Sequence, residues 1–396
     1  MKSEIEFSLN KISSTIVSHK FDASNIGLLL GASGVCLFLF EDYRLTKSKA
    51  SLKKATQILE EVTFNLPNSN QWSYASGMTG VAWMMQYLIN EKFLDEDGDD
   101  LLHHLDDYIF NECLDNLKSG SYDYMHCGLG GILYFLERFR SSSSKKQIET
   151  YILLLIKALT DSCIVEDKFS FWWDKLPALH DTTDSRINFG MAHGLPSIIS
   201  ILSLVKSSGI KLDINDRAAS TVDYMLSVQD KSRLNNFPTI LLDNVAPDYI
   251  KGRLAWCYGD LGISCGLLNY AIAYNDSKTY GVALDLALKT TARKVQIDTG
   301  LRDACLCHGT SGIGLMYWNL YKMTKSKEMK SASDFWFKKT MLHQDSPKFL
   351  GGYRFLDGDK WKESTNLLDG IAGIGLSYIS RLSKEIPRWD RCLLLS

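Results

Sequence analysis

The segment Leu306-Cys307-His308-Gly309-Thr310-Ser311-Gly312 runs directly into the apolar stretch Ile313 to Trp318, and the same arrangement recurs along the chain. Gly-x-x-Gly starts stand at Gly31 to Gly34, Gly77 to Gly80, Gly259 to Gly262, Gly309 to Gly312 and Gly370 to Gly373. Degenerate copies stand at Cys127 to Gly130 and Gly194 to Ser197. Successive starts lie 46 to 67 residues apart, and self-similarity at such spacing signals a repeat architecture of helical pairs. Each start precedes a run that is apolar nearly all round, the pattern of a buried helix. Between these runs lie amphipathic segments: Thr46 to Val62, Asp99 to Leu117, Lys145 to Ser162, Ile214 to Gln229 and Lys278 to Lys294. In the second of them Leu101, Leu102, Leu105, Tyr108 and Ile109 recur at helical spacing, while Asp100, Asp106 and Asp107 take the other face.

Each repeat therefore reads as one outer, half-exposed helix followed by one inner, buried helix. Ser3 to His19 supplies the outer helix of the first pair, and the seventh inner helix ends near Leu382, so seven hairpins pair off. The expected fold is all-α, a single domain over residues 1–396. It is an α/α toroid, a double-layered ring of seven outer and seven inner helices. The glycines are expected to let helices approach closely and the chain turn tightly at the inner N-termini. All seven turns then gather at one mouth of the ring, where groups from separate repeats can meet.

Composition narrows the function. A hydrophobic content of 45% with 23% charged residues describes a globular chain with a large core. The formal net charge of -2 gives no electrostatic case for nucleic acid. Nine cysteines, an odd number scattered through apolar runs, favour a reducing compartment and thiols used as core filler or metal ligands. No signal peptide is expected in Met1 to Asn10, and the longest apolar stretch, Ile26 to Phe40, is shorter than the roughly 20 residues of a membrane span. The expected location is cytoplasmic.

The chemistry gathers in the turns. Trp256-Cys257-Tyr258-Gly259 and Leu306-Cys307-His308-Gly309 place thiols and an imidazole at one phase of consecutive repeats. Cys257, Cys307 and His308 supply three of the four ligands of a tetrahedral zinc and leave one position open for a substrate. A dithiol redox pair is the competing use of these cysteines. His193, in Gly190-Met191-Ala192-His193-Gly194, occupies the place of His308 in its own repeat and suits acid/base work near neutrality. If Cys127 stands for the first glycine of its turn, His126 shares that phase and Asp123 lies four residues ahead, able to orient a histidine or hold a proton. If Gly128 is the turn glycine, Asp123 slips one place. Arg253 could stabilise an anion and Tyr258 brings a polar-tipped ring to the same turn; a surface ion pair and a packed ring are the plainer readings. Cys36 and Trp256 read as core, Asp369 as a helix N-cap, and Val165 to Asn188, with Phe169, Phe171, Trp172 and Trp173, as an ordered wall with some extended structure.

Gly-Met-Ala-His-Gly, Trp-Cys-Tyr-Gly and Leu-Cys-His-Gly, in that order and each opening an inner helix, resemble the lanthionine synthetase C-like family over essentially the whole chain. The resemblance implies an α/α toroid and the activity of a class I lanthipeptide cyclase, with one Zn2+ held by Cys257, Cys307 and His308. It implies His193 and Asp123 as the acid/base pair, with Arg253 and Tyr258 lining the site. The implied reaction is addition of precursor-peptide cysteine thiols to dehydroalanine or dehydrobutyrine, which forms lanthionine or methyllanthionine. The implied partners are a dehydrated precursor peptide, a separate dehydratase and an export transporter. Addition of glutathione to dehydrated residues, and a noncatalytic zinc-containing peptide-binding subunit, are the alternative readings.

Overall fold

A computed structural model of the chain describes residues 1–21, 24–175, 186–211, 215–243, 245–250, 252–344, 348–384 and 388–396. His180 and the segment 181–185 of the expected wall lie outside the described residues. Among the described residues, seven helices are amphipathic, with buried residues on one side only: α1 (Lys2–Ser18), α3 (Lys49–Asn65), α5 (Gly98–Lys118), α7 (Lys145–Asp161), α9 (Asn215–Ser227), α11 (Ser277–Thr290) and α14 (Lys327–Leu342). Alternating with them are seven almost wholly buried helices: α2 (Ala32–Thr46), α4 (Met78–Asn90), α6 (Leu129–Phe139), α8 (Leu195–Ser207), α10 (Asp260–Tyr274), α13 (Thr310–Thr324) and α15 (Ile371–Leu382). A single extra turn, α12 (Gln296–Thr299), precedes the loop to Gly309. Both sets match the expected segments, and α14 is the outer helix that the sequence reading counted without locating.

The residues fall into two compact units. In the first, residues 1–88 with 301–390, α13 packs on α15 and α15 on α2, so the last buried helix lies against the first. Gly375 makes that contact possible, because a Cβ there would sit 2.3 Å from the Phe38 ring. In the second, residues 89–300 with 391–396, α6 packs on α8 and α8 on α10, while α7 and α11 cover α6 and α10. The C-terminal residues belong to this core, since Trp256 Nε1 donates to the Leu393 carbonyl at 2.9 Å. Buried Arg138 is held by Asp99 at 2.9 Å and Asp106 at 2.7 Å, and Tyr134 Oη donates to Asp106 at 2.6 Å. A buried cation that far from water needs those two carboxylates.

Among the described residues, three two-stranded antiparallel ribbons interrupt the helices: β1 (Ile164–Glu166) with β2 (Phe169–Phe171), β3 (Arg186–Asn188) with β4 (Ile240–Leu242), and β5 (Phe355–Asp357) with β6 (Lys360–Lys362). The expected extended structure before Asn188 is β1 to β3. Its aromatics serve the core: Phe171 stacks on Tyr224 at 4.8 Å, and Trp172 Nε1 donates to the Leu159 carbonyl at 2.9 Å.

The Gly-x-x-Gly repeat has a more local cause than helix approach. At several of these turns the chain doubles back on its own carbonyls. A Cβ on Gly77, Gly194 or Gly259 would sit 2.2, 2.1 or 1.7 Å from the carbonyl oxygen six residues earlier. The second glycine repeats the constraint, with Gly80, Gly312 and Gly373 only 2.0, 1.9 and 1.8 Å from the oxygens of Tyr74, Leu306 and Leu367. No real Cβ tolerates such contacts with backbone. Gly312→Ala should therefore lower the thermal midpoint, since overpacking a tight site costs about 1–3 kcal/mol. Calorimetry checks this, with Gly281→Ala, where a Cβ meets nothing within 4 Å, as the control.

The same turns fix the register of the third repeat. The N–H after the turn glycine donates to the carbonyl seven residues back: Ala32 to Asn25 at 2.8 Å, Met78 to Gln71 at 2.9 Å, Thr310 to Asp303 at 3.1 Å and Ile371 to Ser364 at 3.0 Å. Leu129 donates to Tyr122 at 3.1 Å, so Gly128, the N-cap of α6, is the turn glycine. The alignment through Cys127 is thereby corrected. His126 shares its place with Cys257 and Cys307, two residues before the glycine, and Asp123 stands five before it.

Candidate functional site

In the first unit, backbone hydrogen bonds string neighbouring turns together. Leu306 and Cys307 N–H both donate to the Leu368 carbonyl at 3.0 Å, Leu368 N–H to Leu29 at 3.0 Å, and Leu29 N–H to Ala75 at 2.9 Å. This pairing sets the loop of Cys307 against the loop of Asp369. One ligand atom each from Cys307, His308 and Asp369 lies within 4.8 Å of the others. The reading of Asp369 as a helix cap is overturned: the N-cap of α15 is Gly370, without a side-chain cap bond. Burial pushes the Asp369 carboxyl above its ordinary value.

Asp303, which the sequence reading did not single out, braces this loop. Only 1% exposed, it accepts Cys305 N–H on Oδ1 at 3.1 Å and Leu356 N–H on Oδ2 at 2.9 Å, and Oδ2 lies 3.4 Å from His308 Nε2. Burial opposes its charge, but the His308 imidazole, the Leu356 N–H and the Cys305 side chain together hold the carboxyl below its ordinary value. Nε2 is thus the His308 nitrogen turned to Asp303. Cys305 is fully enclosed and its thiol is raised well above the ordinary value, first by burial and then by Asp303 and Asp369. It accepts His308 N–H at 3.5 Å, a bracing contact.

In the second unit, Asp123 and His193, seventy residues apart in sequence, meet through Oδ2 and Nδ1. Asp123 is 2% exposed, and its Oδ1 accepts His126 N–H at 2.7 Å. Burial works against a charge on His193. The hydrogen bond and charge of Asp123, with smaller contributions from Cys257 and Asp174, outweigh it and raise the imidazole above its ordinary value. His126 lies on the other side, its ring 5.7 Å from that of His193 and tilted by 12°. Burial, aided by His193, lowers it against the pull of Asp123.

Ala192 N–H donates to the Cys257 carbonyl at 3.3 Å and ties the His193 turn to the Cys257 turn. The Tyr258 ring centre lies 6.1 Å from that of His193. Its hydroxyl accepts from Asn188 Nδ2 at 3.2 Å and is pushed up to about 12, mainly by burial. Asn188, placed by its pairing with Ile240, also donates to Asp174 Oδ2 at 3.0 Å. Arg253 is exposed and makes no hydrogen bond or ion pair with any described residue. Thus Cys307 and His308 stand together in one unit, and Asp123, His193, Cys257 and Tyr258 adjoin in the other.

Asn188 and Asp303 were the missed partners, and a signal for them existed. Each stands six residues before its turn glycine and accepts the N–H two residues on, Gly190 at 2.8 Å and Cys305 at 3.1 Å. Asn25 does the same with Gly27 at 3.4 Å. An Asn or Asp at that offset is the side chain that an Asx turn requires.

An alternating all-α repeat with thiol, imidazole and carboxylate groups in its turns defines a recognisable class. The model of the family described as "Lanthionine synthetase C-like protein" matches residues 23–394. The chain belongs to the lanthionine synthetase C-like family. It is 26% identical over 407 residues to "Nisin biosynthesis protein NisC" of Lactococcus lactis subsp. lactis, covering 95% of this chain and 90% of that protein. The solved structure titled "Nisin cyclase" is similar with a TM-score of 0.77 at 20% identity, covering 100% of this chain and 97% of that one. The fold class is accordingly the expected α/α toroid. No helix among the described residues is long and apolar enough to cross a membrane.

The donors present suit zinc. Sulfur, imidazole nitrogen and carboxylate oxygen are its ordinary ligands, and a ligating histidine regularly turns its other nitrogen to a carboxylate, as His308 does to Asp303.

Proposed function

We propose that this protein is a zinc-dependent lanthipeptide cyclase, acting on a dehydrated precursor peptide supplied by a separate dehydratase and passed on to an export transporter. Membership of the family and the likeness to a nisin biosynthesis protein support the reading. The observation that carries it is the Cys307–His308–Asp369 group, three metal-ligating side chains brought together from two paired turns. The proposed zinc ligands are Cys307, His308 and Cys257, which holds in its own turn the place of Cys307. When bound, zinc supplies the charge that keeps a substrate thiol ionised near neutral pH.

The rest falls to this chain's own residues. The thiolate adds to the β-carbon of dehydroalanine or dehydrobutyrine, and the electron pair moves to the substrate carbonyl as an enolate. His193, its Nδ1 engaged by Asp123, delivers the proton to the α-carbon from Nε2. One C–S bond forms, the thiol proton is balanced at the α-carbon, and nothing leaves. Arg253 meets the developing negative oxygen, and Tyr258 lines the approach.

The test is mass spectrometry of a dehydrated precursor peptide before and after treatment, with thiol alkylation. Cyclisation protects cysteines from alkylation without a mass change. A mass gain equal to glutathione, seen only when glutathione is added, would instead support thiol addition in trans. A noncatalytic subunit would leave every cysteine open to alkylation.

Asp303→Ala should weaken metal binding by roughly 10–100-fold, the usual loss when the partner behind a ligating histidine is removed. Competition against a zinc chelator reads the change directly. Asp303→Asn should fall in the same direction, because an amide nitrogen accepts neither the Leu356 N–H nor a His308 proton.

A further inference from the structure

We propose that Asp123, His126 and His193 form a second site, for a borderline divalent cation such as Zn2+ or Co2+, whose occupation disables the Asp123–His193 pair. One ligand atom from each residue lies within 4.8 Å of the other two. A zinc ion with ligands at roughly 2.0–2.2 Å closes such a group with small side-chain movements. Two imidazoles and one carboxylate are a donor set that borderline divalent metals take while keeping coordination positions open.

Three features point to a cation rather than to packing alone. Asp123 is almost fully buried, and a carboxylate withdrawn from water requires a positive partner. It is aimed from between its neighbours: Oδ1 accepts the His126 N–H, and Oδ2 meets His193 Nδ1. The half-buried His126 ring has neither nitrogen hydrogen-bonded to any described residue, and it stacks almost parallel to His193. An imidazole left in that position without a donor or acceptor is an unused ligand beside a ready-made pair.

At this site a cation takes the place of the proton shared between Asp123 and His193. The imidazole then binds metal through the atom that Asp123 orients and no longer serves as the acid. This consequence rests on the proposed role of His193; the binding site itself does not. Excess zinc would thus inhibit the enzyme that needs one equivalent of it.

Cobalt titration followed by absorption spectroscopy separates the two sites, because only a thiolate-ligated ion shows sulfur-to-cobalt charge transfer. Wild-type protein should bind about two ions per chain, one with that band and one without. Cys307→Ala should lose the ion with the band and keep the other; His126→Ala should do the reverse. His126→Gln, which preserves size and polarity, guards against loss of fold, and retention of the charge-transfer band in either His126 variant reports an intact protein. A second ion whose binding is unchanged in both His126 variants, or wild-type protein that binds a single ion, would overturn the proposal. Failure of the thiolate site alone would count against the zinc reading above and leave this one standing.

Discussion

Cys307→Ala protein is expected to emerge folded, without its zinc and without the power to close thioether rings. The fold should survive because the loop is held by backbone: Leu306 and Cys307 N–H groups bond Leu368, and neither bond involves the thiol. Alanine is also native at the matching place of two other turns, Ala75 and Ala192, each two residues before its glycine. Loss of a direct ligand should exceed the roughly 10–100-fold penalty of losing an outer partner. Metal analysis of purified protein and the alkylation assay read the two losses together. A variant that keeps both zinc and cyclisation would remove the basis of the proposed function.

The second large effect belongs to the acid/base pair. His193→Ala should slow ring closure by about 10²–10⁴-fold, the usual contribution of a positioned proton donor. It also leaves Asp123 buried without its imidazole, and breaking a buried pair costs about 3–5 kcal/mol. Asp123→Asn is therefore the cleaner probe, since an amide oxygen still accepts the His126 N–H. In the wild type Asp123 raises His193 above the ordinary 6.5, so the protonated donor persists to higher pH than on an ordinary imidazole. Asparagine removes that charge but not the burial, which then lowers the imidazole against only the smaller pull of Cys257 and Asp174. The alkaline limb of the pH–rate profile should move down, toward or below 6.5. Stability follows the same sign. The contribution of wild-type His193 is fully present below 6.5 and is lost as pH rises through its raised folded value. Asp123→Asn should flatten that part of the stability curve. An alkaline limb that stays in place would exclude His193 as the proton donor.

Much of the candidate site lay within single turns, where its residue types could be read directly. Cys307 and His308 are adjacent, and Cys257 precedes its glycine by the same two residues as Cys307. What escaped were partners supplied by a different repeat or hidden by a degenerate motif. Asp369 reaches Cys307 through a loop-to-loop bond at Leu368, and nothing in the Leu367-Leu368-Asp369-Gly370 stretch announces that neighbour. The third repeat carries Gly128 one place after the residue that looked equivalent to a glycine, so its register waited on the Leu129–Tyr122 bond. Even so, Asp123 reached His193 in the corrected register.

From composition and spacing alone came the alternating helices, their burial, the turns where they begin and the residue types crowded there. These follow from periodicity, and from glycines that at several turns are forced by carbonyls six residues back in the same turn. Which turns lie side by side, which nitrogen of His308 faces Asp303, and which carboxylate raises His193 were decided by tertiary structure. Such facts depend on hydrogen bonds and charges between segments far apart in sequence, whose strength is set by distance and burial, and neither quantity is written in the order of the residues.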